Sequence, residues 1–331
     1  MDAENNVQKR FFAELKSKLP SNLSMARVVA DELSISVDSA YRRIRGESHL
    51  SLLEFDLLMT KYAISTEAIL SRSFDSVHFD YHSLNNRDEG LPGIFNYLSK
   101  QLKSFSNFGL KEIVFLASDL PVFYLFMYPH LASFKMYCWR QMFHQLPSGK
   151  YPQFDPGSID TLLDMSYKLL QAYLDHPSIE IWNTETIHST MNQVLFCHKK
   201  GMFESKQDIG HILDELIKVL EHVEKQAEYG HKFDPAAKGS IEKDKPLFSL
   251  YQYEGPIPKN QVLVKLEHFE LTYIAHYGLN MLTTNNQEFY LENRLYAGQL
   301  MAQATDLATP VGRKLYFNGL YHKIDALKNN L

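Results

Sequence analysis

Residues 24–46, SMARVVADELSISVDSAYRRIRG, are the most informative stretch of the chain, because their apolar positions predict two short helices joined by a tight turn. In the second helix, at about 100° per residue, Ser36, Ala40 and Ile44 share one face. The opposite face carries Val37, Asp38, Tyr41, Arg42 and Arg45. Ser24 and Ser36 each precede a helical run, where N-caps are expected. The stretch therefore predicts a helix pair whose second member presents arginines.

The first helix of this pair has the complementary pattern. Val28, Val29 and Leu33 point inward, and Ala30 is small enough to let the second helix cross closely. Two helices that meet at a steep angle over such a contact allow the second to enter a DNA major groove while the first crosses the phosphate backbone. The pattern therefore favours a DNA-binding helix pair.

Flanking segments extend the unit to five predicted helices. Residues 6–19 have apolar side chains at helical spacing, and Pro20 ends that run. After Gly46, a fourth helix is capped by Ser51, and a short fifth helix starts at Ser65 and contains Ile69 and Leu70. We expect a compact helical domain over residues 1–72.

With its helices in this order, the segment resembles the lambda-repressor-like helix-turn-helix domain of Cro/C1-type (XRE) bacterial regulators. The resemblance covers roughly the first 72 of 331 residues, and its best-matched part is ADELSISVDSAYRRIRGE, residues 30–47. The matching positions are Ala30, Ile35, Ser36, Ala40, Arg42 and Gly46. The chain departs from the family pattern at Ser34, where the turn usually has glycine, and at Ile44, where the last core position is displaced by one residue.

The resemblance implies that the start and outer face of the second helix read bases. The implied base-reading residues are Val37, Asp38, Tyr41 and Arg42. Arg42 suits the O6 and N7 atoms of guanine, and Val37 suits a thymine methyl group. Arg27, Arg43 and Arg45 are assigned to phosphates, which set register and not sequence. In the alternative interpretation, the arginines only solvate the helix or pair with Asp31, Glu32 and Asp38.

Length, composition and charge limit the number of domains and the way in which the chain could bind DNA. The chain is 45% hydrophobic, which is enough for a packed core, and its length predicts two domains, residues 1–72 and 73–331. The net charge is −5, yet residues 1–72 contain 10 basic and 10 acidic residues. Binding to DNA would therefore depend on where the charges lie and not on their sum.

Several classes of site are not indicated by the sequence. Cys138 and Cys197 are far apart and form no CxxC pair, so neither a disulfide framework nor a zinc site is predicted. The most apolar stretch, residues 113–128, contains Asp119 and Pro121 and is too short to span a bilayer. We expect a cytoplasmic protein with no membrane segment, no metal and no cofactor.

The second domain is predicted to be mostly helical, with a small antiparallel sheet, so that the chain as a whole is mainly α. Strands are indicated near 247–254, 261–266 and 269–276, with a further strand in the connector 73–90. Helical runs are indicated near 91–106, 110–118, 121–145, 158–175, 185–200, 207–229, 285–308 and 311–328. A helical solenoid stays open as an alternative, although no period of about 34 residues is visible.

Aromatic residues are concentrated in residues 115–143 of this domain. They are Phe115, Phe123, Tyr124, Phe126, Tyr128, Phe134, Tyr137, Trp139 and Phe143. They could line a pocket for a flat or apolar ligand, or they could form a large packed core. The sequence identifies no ligand.

The run 207–229 contains an apolar row spaced three and four residues apart. Ile212, Leu216, Val219 and Val223 are its candidate dimerisation residues. The row covers little more than two heptads, and packing within its own domain is the alternative.

Taken together, these patterns predict a cytoplasmic transcription regulator that binds palindromic double-stranded DNA as a homodimer, with a small molecule or a peptide as effector. An enzyme is not predicted, because no glycine-rich phosphate loop, serine nucleophile elbow or metal-ligand set is visible. A third interpretation is a protein- or peptide-interaction module in which the helix-turn-helix is only an accessory or a scaffold.

Overall fold

A computed structural model describes residues 7–20, 23–62, 64, 69, 77–81, 90–143, 152–237, 245–276 and 278–331. The chain divides into two compact units, Met1–His78 and Phe79–Leu331. We refer to them as the first unit and the second unit.

The first unit contains four described helices, α1 (Val7–Lys18), α2 (Met25–Leu33), α3 (Val37–Arg45) and α4 (Leu52–Lys61). Its core is formed by the side chains of Phe11, Phe12, Leu15, Val29, Ala30, Ala40, Leu58, Ile64 and Ile69. Of the fifth helix predicted from Ser65, only Ile69 lies within the described residues, and it is fully buried.

The first unit also exposes apolar side chains on one of its helices. Leu52 and Leu53 of α4 are 85% and 83% exposed, and Leu57 is 45% exposed. On the same helix, Leu58 is fully buried. Helix α4 therefore contributes only part of its apolar surface to the core.

The second unit contains seven described α-helices and eight strands. The helices are α5 (Gly90–Asn107), α6 (Pro129–Phe143), α7 (Asp160–Leu174), α8 (His188–Lys199), α9 (Lys206–Tyr229), α10 (Gln287–Gln303) and α11 (Pro310–Asn329). The strands are β1 (Asp80–Tyr81), β2 (Glu112–Ala117), β3 (Ser178–Trp182), β4 (Phe248–Gln252), β5 (Gln261–Lys265), β6 (Glu270–Ala275), β7 (Met281–Thr284) and β8 (Thr305–Asp306). Two 3₁₀ turns lie at Val122–Phe126 and Pro156–Ile159.

The eight strands form one mixed sheet in the order β1-β7-β6-β5-β2-β3-β4-β8. Strand β3 pairs in parallel with β2 on one side and with β4 on the other. The remaining neighbours pair antiparallel. The strands at the two edges, β1 and β8, are two residues long.

Helices cover both faces of the sheet. Ile113 and Phe115 of β2 face the large core, which includes side chains of α5, α6, α7, α9 and α11. Val114 and Leu116, which alternate with them, face a smaller core that includes Tyr290 and Leu300 of α10. The second unit therefore has three layers.

The prediction of a mainly α chain with a small antiparallel sheet is wrong, because the second unit has an α/β architecture around an eight-stranded mixed sheet. Residues 112–117, predicted to be helical, form the buried strand β2. A short, continuously apolar run suits a strand that is buried on both faces as well as it suits a buried helix. Strand β3, which follows Pro177, was not predicted at all. The helical solenoid is excluded by the same sheet.

Candidate nucleic-acid interface

The turn between α2 and α3 is held by backbone geometry. Ser34 adopts the left-handed conformation, with φ 52° and ψ 44°, and the amide of Ile35 donates to the carbonyl of Ala30 at 3.0 Å. This arrangement ends α2 and reverses the chain within two residues. Glycine would adopt the same φ without a Cβ penalty, which gives a physical reason why glycine is usual in such a turn.

Helix α3 is capped at both ends. The Ser36 hydroxyl accepts from the Ser39 amide at 3.1 Å, which satisfies a free donor of the first turn. Gly46 is left-handed, with φ 79°, and the amide of Glu47 donates to the carbonyl of Arg42 at 2.8 Å. Nine residues of helix are thus fixed between two well-formed ends.

The inner face of α3 packs into the core of the first unit. Ala40 is fully buried, and Ile44 packs against the core while partly exposed. Because Ala40 has only a methyl group, α3 can approach α2 closely at this point. This contact orients the opposite face of α3 toward solvent.

The outer face of α3 has the composition that the sequence indicated. Val37 and Tyr41 are 42% and 46% exposed, and Asp38 is also exposed. The side chains of Arg42 and Arg45 are 57% and 54% exposed. An apolar contact, a phenol, a carboxylate and two guanidinium groups therefore lie together on one accessible surface. We call these five residues the α3 outer face.

Arg43 differs from the two arginines of this face. Its Nη2 donates to Glu54 Oε1 at 2.8 Å, and the two side chains are only 20% and 21% exposed. Burial raises the pKa of Glu54, but hydrogen bonds from Ser51 and Arg43 outweigh it and hold that pKa below its usual value. This pairing argues against the phosphate role that was predicted for Arg43, and its contacts tie α3 to α4.

Glu47 lies against the arginines that remain accessible. Arg45 donates to Glu47 through Nε at 2.6 Å and through Nη2 at 3.1 Å, and Arg42 Nε lies 3.9 Å from the same carboxylate. The hydrogen bond from Arg45 holds the pKa of Glu47 below its usual value. Neither arginine pairs with Asp38 in the described contacts, and Arg27 is exposed on α2.

Two positioning residues were missed by the sequence analysis. Gln8 of α1 donates through Nε2 to the carbonyls of Arg43 and Ser48, at 2.7 Å each, and its Oε1 accepts from the Leu50 amide at 3.0 Å. No sequence pattern indicates that role, because the contacts span 35 to 42 residues. Glu54, by contrast, forms a capping box with Ser51, and the S-x-x-E spacing could have revealed it.

The predicted dimer seam does not lie on the surface. Ile212, Leu216, Val219 and Val223 of α9 are all fully buried within the second unit. Helix α9 packs against α6, α11 and β4, which cover its apolar row. The assignment of these residues to a dimer interface is therefore wrong, and the alternative, packing within their own domain, describes them.

The aromatic concentration in residues 115–143 is mostly core. Tyr124, Phe126, Phe134, Tyr137 and Trp139 are buried in the large core of the second unit. Two others, Phe115 and Phe123, line a cavity of about 350 Å³. The side chain of Phe143 lies outside those that the structure describes.

Comparison of the chain with protein-family models, with curated proteins and with solved structures finds no match. Within the described ranges, no group of three or more histidine, cysteine or carboxylate side chains is placed to hold a metal ion. None of the described helices is both long and apolar enough to cross a membrane.

Proposed function

We propose that this chain is a sequence-specific DNA-binding transcriptional regulator that reads its site through the α3 outer face. One observation carries the proposal: α3 buries Ala40 in the core of the first unit and leaves Val37, Tyr41, Arg42 and Arg45 accessible. In helix-turn-helix proteins, the second helix of such a pair lies in the major groove. The resemblance of residues 30–47 to Cro/C1-type regulators supports the same role.

Four residues of the α3 outer face and Arg27 of α2 have assigned parts in this proposal. Arg42, near the middle of α3, presents a bidentate donor to a guanine edge, and Val37 and Tyr41 contact bases beside it. Arg45, at the end of the helix, and Arg27, on α2, contact phosphates. The Glu47 carboxylate leaves Arg45 when a phosphate oxygen replaces it, since both are anionic acceptors for the same guanidinium.

The proposal includes a homodimer on a palindromic site. One chain supplies one recognition helix, which reads only a few base pairs, and two copies related by a two-fold axis would read half-sites about 34 Å apart. The buried α9 row cannot supply the contact between the copies. Sedimentation with a selected duplex tests this part: two chains per duplex are expected, and one chain per duplex would contradict it.

The test of the central proposal is selection of duplexes from a randomised library by the full-length protein. The wild type should enrich one sequence, and Arg42→Ala should lose about 1–3 kcal/mol of discrimination at one base pair in each half-site. Arg45→Ala should weaken binding to every duplex and reduce the slope of log K against log salt by about 1.

Arg140→Ala is the matched control, because Arg140 is exposed on α6 of the second unit and its loss changes the net charge equally. It should bind DNA as the wild type does. If the wild type enriches no sequence, or if Arg42→Ala discriminates as well as the wild type, the proposed role of α3 is refuted.

A further inference from the structure

The second unit contains a cavity of about 350 Å³ between helix α5 and one face of the sheet. Its walls come from α5, from strands β2, β5, β6 and β7, and from residues near the 3₁₀ turn at Val122–Phe126. A space of this size lies in the range of sites for small molecules.

The chemistry of the walls limits the ligand. Rings of Phe105, Phe115, Phe123 and Tyr173 and aliphatic side chains such as Val262 and Val264 form most of the lining. No aspartate, glutamate, lysine, arginine or histidine is present among the described residues that line it. A charged ligand would lose its hydration here and find no counter-charge, so the cavity suits a neutral molecule.

The polar groups of the lining are few, and two of them already bond within the protein. Asn260 Oδ1 accepts from the Asp119 amide at 2.9 Å, and Gln101 Oε1 accepts from the Tyr273 hydroxyl at 3.3 Å. The Nδ2 atom of Asn280 has no hydrogen-bond partner among the described residues, but it is buried within the wall and is not exposed to the cavity. The described lining therefore offers a ligand mainly apolar contacts.

We infer that this cavity is a binding site for a neutral, flat, largely apolar small molecule. The aromatic walls contact its ring system. The binding of such a ligand by the cavity is independent of the proposed function. Only the further step, in which the ligand acts as the effector of a regulator, rests on the proposed function.

The probe for this site is 6-propionyl-2-(dimethylamino)naphthalene, a neutral flat fluorophore with one ketone, whose emission moves to the blue in apolar surroundings and to the red when its carbonyl is hydrogen-bonded. Full-length protein without DNA should bind it saturably and shift its emission to the blue. The matching anion, 6-(dimethylamino)naphthalene-2-carboxylate, should bind at least about tenfold more weakly, because the carboxylate must be desolvated.

Two variants of strand β6 locate the bound probe. Ala275→Phe places a ring in the cavity and should weaken probe binding at least about tenfold. Thr272→Val is the matched control, because Thr272 is fully buried on the opposite face of the same strand. It should bind the probe as the wild type does. Circular dichroism of each variant reports whether the fold is kept.

Val262→Phe, on the neighbouring strand β5, also places a ring in the cavity and decides the matter if Ala275→Phe fails to fold. It should weaken probe binding at least about tenfold. The inference is overturned if the wild type shows no saturable binding up to about 0.1 mM probe. It is equally overturned if folded Ala275→Phe or folded Val262→Phe binds the probe as the wild type does. Because DNA is absent throughout, none of these results bears on the α3 outer face.

Discussion

Helices α4 and α9 both carry rows of apolar side chains at helical spacing, yet the two rows have opposite surroundings. On α4, Leu52 and Leu53 are more than four-fifths exposed, whereas Leu216 and its neighbours on α9 are fully buried. The difference lies in what surrounds each helix: α9 is enclosed by α6, α11 and β4, while α4 contributes only part of its apolar surface to the small core of the first unit. Spacing shows which residues share a face, and only the packing shows what covers that face.

The largest loss of stability should follow from a charge in the apolar row of α9, and the same change in the row of α4 should have almost no effect. Leu216→Lys should destabilise the second unit by more than about 4 kcal/mol, because an unpaired ammonium replaces a fully buried side chain. Leu53→Lys should change the stability of the first unit by less than about 0.5 kcal/mol.

Urea unfolding can follow the second unit alone, because Trp139 and Trp182 are the only tryptophans of the chain and both lie in that unit. Amide hydrogen exchange in α1 to α4 reports on the first unit. An unchanged tryptophan transition in Leu216→Lys would show that the α9 row is not covered as the structure has it.

The next largest effect concerns the packing of α3 in the core of the first unit. Ala40→Arg should unfold or severely loosen α1 to α4, at a cost of roughly 3 kcal/mol or more, since a long charged side chain cannot be accommodated at a fully buried position. Asp38→Arg introduces the same side chain two residues away on the exposed face and should cost only about 1 kcal/mol, because it reverses a charge in the first turn of α3. Equal protection in both variants would show that the helical register of α3 is wrong.

The stability of the second unit should also depend on pH. Lys232 is fully buried, and its Nζ lies 3.4 Å from the centre of the Tyr173 ring. Burial lowers the pKa of Lys232 to about 7, although the nearby Glu180 acts in the opposite direction. Between pH 7 and 9 the unfolded chain therefore keeps a proton that the folded chain has released, and stability rises with pH.

The gain should be about 2 kcal/mol over these two pH units, measured by the urea midpoint of tryptophan fluorescence. Lys232→Met should remove this rise, whereas Lys168→Met, at an exposed position on α7, should retain it. A rise of the same size in Lys232→Met would assign the pH dependence to another group.

The smallest effect concerns the turn of the first unit. Ser34→Gly should stabilise α1 to α4 by about 0.5–1 kcal/mol, because glycine adopts the left-handed conformation without a Cβ penalty. Ser39→Gly, within α3, should destabilise by about 0.5 kcal/mol, since glycine has a lower helix propensity than serine. Hydrogen exchange measures both changes, and a loss of stability in Ser34→Gly would contradict the strain argument.

The helices could be predicted far better than the sheet. The period of 3.6 residues is a local signal, so α3, α5 and α9 lie close to the ranges that the sequence indicated. The pairing of β3 with β2 and β4 joins segments more than 60 residues apart, and no local pattern encodes it. The run IVFLA in β2 is apolar throughout, so its period could not distinguish a strand from a helix.

The features of the candidate interface could likewise be predicted from the sequence only in part. The exposure of Val37 and Tyr41 and the burial of Ala40 follow the spacing of α3 alone. The pair between Arg43 and Glu54 joins two helices, and the cavity beside Asn280 depends on strands that were not all predicted. Contacts between elements therefore mark the limit of what spacing could show.

The two-residue strand β8 has a consequence for self-association. A sheet edge offers unpaired amide and carbonyl groups on which a strand from another molecule can add, and long flat edges promote aggregation. At this edge only Thr305 and Asp306 pair with β4 before Pro310 begins α11. The close approach of α11 reinforces the limit, since a Cβ at Gly312 would lie 2.6 Å from the Thr305 methyl carbon. An incoming strand would find two residues to pair with, one of them charged, so this edge is a poor template for aggregation.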